Sequence, residues 1–145
     1  MSVRLLADSN DFVRPDIWVD RLDAFMSALG AVDADDALGF CGQAWDIWES
    51  VAASDLPAES HPDMLIVLGV RQALASVMAA AYRSTIEIKR QMPLATAHAS
   101  LIEELTAARH ECDRWSTDGL PSAAEVRARS AIVATGLNAT TKRSA

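Results

Sequence analysis

Apolar residues between positions 94 and 115 recur at alternating spacings of four and three. They are Leu94, Leu101, Leu105, Ala108, Cys112 and Trp115, and His98 occupies the remaining position of the pattern. An α-helix turns once in about 3.6 residues, so this spacing places them all along one side of a helix, in a heptad seam. A seam of this kind has to be covered by another helix. The pattern therefore predicts a helix over about 94–117 that packs antiparallel on a neighbour.

The segment before the seam is predicted to supply that neighbour. Pro62 falls where a first helical turn tolerates proline, Ser60 is a suitable N-cap, and residues 64–70 are apolar on every side. A helix without a polar face has to be surrounded. We therefore expect a long central helix over about 61–91.

The most apolar stretch of the chain covers 64–82, and Arg71 and Gln72 interrupt it. Charged residues are rare inside membrane spans, so the stretch favours a buried helix and no membrane association. A helix this long exceeds what its shorter neighbours can cover. The excess predicts a homodimer with the long helix at or near the interface.

Three further helices follow from start and stop signals. The first is predicted to open at Pro15 and to stop at Gly30. The second is expected after Asp33, whose carboxylate would cap it. The fifth opens at Ser122, in a capping box, and is expected to run to about Thr135.

These elements predict an all-α fold, a single-domain bundle of about five helices over 1–137, followed by a flexible tail over 138–145. Half of the 145 residues are hydrophobic, which is enough for one core. Gly39 and Gly42 lie within the predicted second helix, where glycine is unfavourable. We expect another helix to approach closely at that turn.

Acidic residues are concentrated in the first part of the chain. Residues 1–60 contain twelve Asp and Glu against three Arg, a balance of −9, whereas residues 61–145 contain eight acids and ten bases, a balance of +2. The acidic part would repel phosphate backbones, so nucleic acid is a disfavoured partner. A basic protein surface is the complementary one.

The second helix combines tryptophan with acidic residues, and tryptophan is enriched at binding hot spots. A protein-binding surface is therefore predicted there. Its residues are Asp33, Asp35, Asp36, Trp45, Asp46 and Glu49.

Other chemistry has little support in the sequence. His98 on the seam and Cys41 on the second helix are candidates for a pocket inside the bundle. No spacing typical of a metal site or a catalytic constellation occurs, so we expect no catalytic residue, no metal and no cofactor. The two cysteines are expected to be buried, reduced thiols.

The leading functional prediction is a small acidic, non-enzymatic protein-binding module of the adaptor, inhibitor, immunity or anti-defence type. One alternative is a DNA-binding regulator whose last two helices form a helix-turn-helix around Gly119. Another is an enzyme or small-molecule binder with a pocket near His98. Asp8 and Asp11 interrupt the N-terminal region where a signal peptide would be apolar, so a cytoplasmic location is expected.

Overall fold

A computed structural model describes residues 17–52, 55–87 and 92–131 of the chain. These residues contain helices and no strand, which confirms the all-α prediction. The helices are α1 (Ile17–Leu29), α2 (Ala37–Ala52), α3 (Asp63–Ile86), α4 (Leu94–Asp118) and α5 (123–131). The predicted start at Pro15, the extension of α5 to Thr135 and the tail over 138–145 lie outside the described residues.

α3 and α4 form the largest helix–helix contact among α1 to α4, and they run antiparallel as predicted. Leu65 near the start of α3 and Trp115 near the end of α4 line the same cavity. The seam is the buried side of α4, with Leu101 and Leu105 fully buried. The heptad spacing therefore identified the packing face of α4 correctly.

α3 is shorter than the predicted span of about 61–91. Pro62 is its N-cap residue, and Glu87 leaves the helical conformation at φ −84° and ψ 78°. The predicted cap by Ser60 is wrong: α3 has no side-chain cap on its N-cap residue, and the Asp63 backbone N–H donates to Nδ1 of His61 at 3.1 Å. A histidine two residues before the amide can supply the acceptor that the serine was expected to provide.

α3 is also the one helix of the described residues that is long and apolar enough to cross a membrane, judged by length and composition. Of its most apolar window, 44% is buried within the bundle. It packs against α1, α2 and α4. The central position of α3 thus accounts for part of its all-round apolar character.

An aromatic cluster joins α1 and α2. The Trp48 ring lies 6.1 Å from the Trp18 ring and 5.3 Å from the Phe25 ring, centroid to centroid, in tilted arrangements favoured by aromatic pairs. The Arg21 guanidinium lies 4.5 Å from the centre of the Trp18 ring and donates to the Ala52 carbonyl at 3.1 Å. Arg21 thereby ties α1 to the C-terminal end of α2, where a cation complements the helix dipole.

The start of α2 and its two glycines differ from the prediction. Asp36, not Asp33, caps the helix, since its carboxylate accepts from the Gly39 backbone N–H at 2.6 Å. No other helix of the described residues approaches the glycines. A Cβ at Gly42 would meet nothing within 4 Å, and one at Gly39 would meet only Asp36 and Ala34.

Gly42→Ala is expected to stabilise the chain by up to about 1 kcal/mol, because alanine restricts the unfolded chain and no described residue lies within 4 Å of its methyl group. Chemical denaturation of the two proteins measures the difference. A suitable control is Gly119→Ala, which should destabilise because Gly119 has φ +97°. A loss of stability in Gly42→Ala would show that this face is covered.

Candidate functional site: the acidic face of α2

Acidic side chains line the outer side of α2 and the turn before it. We call this surface the acidic face. All of its carboxylates are exposed, whereas the opposite side of α2 is buried against α1, α3 and α4. The acidic residues are Asp33, Asp35, Asp36, Asp46 and Glu49, the five predicted from the sequence.

No lysine or arginine occurs between Arg21 and Arg71, a stretch that includes all of α2. Ion pairs do form elsewhere in the described residues, for example Arg109 with Asp23 at 2.8 Å and Arg129 with Glu111 at 2.5 Å. None of the five acidic-face carboxylates takes part in an ion pair with a described residue. Their charges are therefore left uncompensated by the part of the fold that is described.

Trp45 borders the acidic face, while Trp48 is part of the core. Trp45 is half-buried and packs against the core, next to exposed Asp46 on the helix. Trp48 is fully buried. Trp45 and Trp48 are three residues apart, so the sequence pattern places both on one apolar stripe. Only the packing of α1 distinguishes the core residue Trp48 from the bordering Trp45.

Asp36 has a second task within this surface, because its carboxylate is the N-cap of α2. A cap of this type contributes about 0.5–2 kcal/mol to stability. Asp46 and Glu49 have no hydrogen bond to a described side chain or backbone group. They are the acidic-face residues whose replacement is least complicated by folding.

Of the candidate pocket residues, His98 packs on Phe40, the residue that precedes Cys41 in α2. The His98 ring meets the Phe40 ring edge-on at 5.2 Å, and Nε2 of His98 is buried without a hydrogen-bond partner among the described residues. Burial raises the pKa of the Cys41 thiol to about 11, so it is neutral at physiological pH. Neither residue lines the three cavities described below.

Three cavities adjoin α5, and no sequence pattern indicated them. They lie between α5 and the helices beneath it, with volumes of about 230, 390 and 160 Å³. Glu111 and Arg129 are eighteen residues apart, so neither heptad spacing nor capping rules could pair them. The Glu111 carboxylate thus pairs with Arg129, one of the two arginines of α5 that would be needed to bind DNA phosphates.

Chemically, the described residues hold no group of three or more His, Cys, Asp and Glu side chains that could bind a metal ion. Comparison of the chain with protein-family models, with curated proteins and with solved structures finds no match. What remains as a candidate site is a surface of uncompensated carboxylates beside a half-exposed indole ring.

Proposed function

We propose that the protein is a small, non-enzymatic binding module that engages a basic surface of another protein through the acidic face of α2, in the cytoplasm. The observation that carries the proposal is the absence of any ion pair at the five acidic-face carboxylates within the described residues. Uncompensated charge of one sign steers a partner of opposite sign and raises its association rate.

The adjoining Trp45 supplies an aromatic side chain that a partner could bury. Charge pairs at the rim of an interface contribute chiefly to association rate, whereas buried aromatic side chains contribute most to affinity. Trp45 is already held by the core, so little of its side-chain freedom is left to lose on binding. A basic partner that also covers Trp45 would therefore gain both a faster association and a higher affinity.

The proposal is tested by affinity capture from the native host with the wild-type chain and with Asp46→Lys/Glu49→Lys as baits. A partner of the acidic face is expected to be recovered by the wild type and to fall at least about tenfold with the double variant. The matched control is Glu87→Lys/Glu103→Lys, which changes the net charge equally at exposed positions of the 87–103 region. Equal recovery with both double variants would contradict the proposal.

We also infer that the protein forms a homodimer near the C-terminal end of α3. Tyr82 and Ile86 lie one turn apart there and are 41% and 60% exposed. Exposed apolar side chains that adjoin one another commonly mark an interface.

Light scattering is expected to give a mass that rises from 15.6 kDa toward twice that value with concentration. Ile86→Asp should restore the lower mass, whereas Leu56→Asp, at a leucine with 51% exposure elsewhere, should not. A wild-type mass that stays at 15.6 kDa throughout the micromolar range would exclude the dimer.

A further inference from the structure

The C-terminal end of α3 places two charged side chains beside its two exposed apolar ones. Tyr82 and Ile86 are 41% and 60% exposed, and Arg83 and Glu87 are exposed as well. Successive residues of an α-helix are about 100° apart, so Tyr82 and Ile86 form one stripe. Arg83 and Glu87 each follow one of these residues directly, and they therefore lie together along the same flank of the stripe. The Glu87 backbone N–H donates to the Arg83 carbonyl at 2.9 Å, which closes the last turn at this position.

Neither charge is paired within the part of the chain that the structure describes. Arg83 and Glu87 form no ion pair with each other or with another described residue. Pairing within a helix is weaker when the base precedes the acid, and Glu87 has already left the helical conformation, at φ −84° and ψ 78°. Both groups are therefore available to opposite charges that approach from outside the described residues.

This arrangement of charged and apolar side chains is complementary to itself. A two-fold axis perpendicular to α3 would bring a second copy of the helix against the first in antiparallel orientation, with stripe on stripe. The same axis sets the flank of one copy against the identical flank of the other, in reversed order along the chain. Residue i then meets residue j, and residue j meets residue i. With the axis midway between positions 83 and 87, Arg83 of each copy faces Glu87 of the other.

We propose that a second copy of this chain docks on the end of α3 through such a two-fold, antiparallel contact, in which Arg83 of each copy pairs with Glu87 of the other beside the apolar stripe. The inference rests on the proposed homodimer and specifies its contact. Charge favours a second copy over other partners, because a basic or an acidic surface would attract one of the two groups and repel the other. No residue of α2 takes part, so the acidic face stays open in both copies, and a change of Glu87 leaves its five carboxylates in place.

Reversal of one charge at a time tests the pairing. In a homodimer of Arg83→Glu, or of Glu87→Arg, like charges face each other at both contacts. Sedimentation equilibrium is expected to show that either variant alone dimerises at least about tenfold more weakly than the wild type. The doubly reversed chain Arg83→Glu/Glu87→Arg restores opposite charges at both contacts and should dimerise as the wild type does.

Mixing the two single variants gives a sharper result. One variant has two glutamates at these positions and the other has two arginines, so opposite charges meet at both contacts of a heterodimer. An equimolar mixture should therefore associate, although neither component does so at the same concentration. The matched controls are Arg127→Glu and Glu103→Arg, which make the same changes of charge at exposed positions of α5 and α4. Each control alone should dimerise as the wild type does, and circular dichroism checks that every variant keeps its helix content.

The outcomes separate this pairing from the homodimer itself. A wild type that stays monomeric would remove both. A wild-type dimer that Ile86→Asp disrupts, but that the charge reversals leave unchanged, would keep the homodimer and overturn the pairing. A mixture of the single variants that stays monomeric would overturn the pairing as well, because the two-fold arrangement requires the heterodimer to form.

Discussion

Trp48→Ala is expected to lower the free energy of unfolding by about 3–5 kcal/mol, the range found when a buried aromatic side chain is truncated to alanine. Trp48 is fully buried, and its ring contacts both Trp18 and Phe25 of α1. The variant loses the burial of the ring and leaves a cavity at the contact between α1 and α2. Because domains are stable by about 5–15 kcal/mol, this single change removes a large part of the total.

Urea denaturation followed by circular dichroism measures the loss. Trp48→Phe is an informative companion, since Nε1 of Trp48 has no hydrogen-bond partner among the described residues and phenylalanine removes that buried N–H. Trp48→Phe should lower the free energy of unfolding by less than half as much as Trp48→Ala. Trp45→Ala, at the half-buried neighbour, should also cost much less. A loss below about 1 kcal/mol for Trp48→Ala would contradict the packing of α1 on α2.

Leu105→Ala is expected to destabilise by about 2–5 kcal/mol. Leu105 is fully buried at the middle of the α4 seam, where α4 faces α3 and the other helices. The matched control is Leu56→Ala, because that leucine is 51% exposed and its truncation should change stability by less than about 0.5 kcal/mol. Equal effects of the two substitutions would mean that the seam of α4 faces water.

The helical packing could be predicted where the apolar periodicity and the start and stop signals of a helix agree. α4 repeats apolar residues at heptad spacing and ends at Gly119, which has the positive φ that favours glycine. Ser122 caps α5 as predicted, since the Glu125 N–H donates to its Oγ at 3.1 Å. In these elements local sequence and tertiary packing favour the same structure.

Predictions were wrong where several residues could satisfy the same local need. Asp33 and Asp36 both precede α2, and only the backbone geometry decides that Asp36 reaches the Gly39 N–H. Gly39 and Gly42 suggested a neighbouring helix, although α2 exposes both to solvent. A glycine in a helix shows only that a side chain is absent. It does not indicate whether another helix packs against that position.

The candidate site was predictable in composition but not in arrangement. The five carboxylates follow from the acidic first part of the chain, and the structure places all of them at the surface. These five carboxylates form no ion pair with a described residue, whereas Asp23 and Glu111 each pair with an arginine. This difference depends on which helices pack together.

The proposed binding of a basic partner by the acidic face of α2 is tested by association kinetics as a function of salt. With the captured partner immobilised, the association rate of the wild type should fall steeply between low and physiological ionic strength, since screening acts on exposed charges. Asp46→Lys/Glu49→Lys should associate at least about tenfold more slowly at low salt and show a weaker dependence on salt. Glu87→Lys/Glu103→Lys should retain most of both properties. An association rate that is unchanged in Asp46→Lys/Glu49→Lys at low salt would show that the partner does not bind through the acidic face.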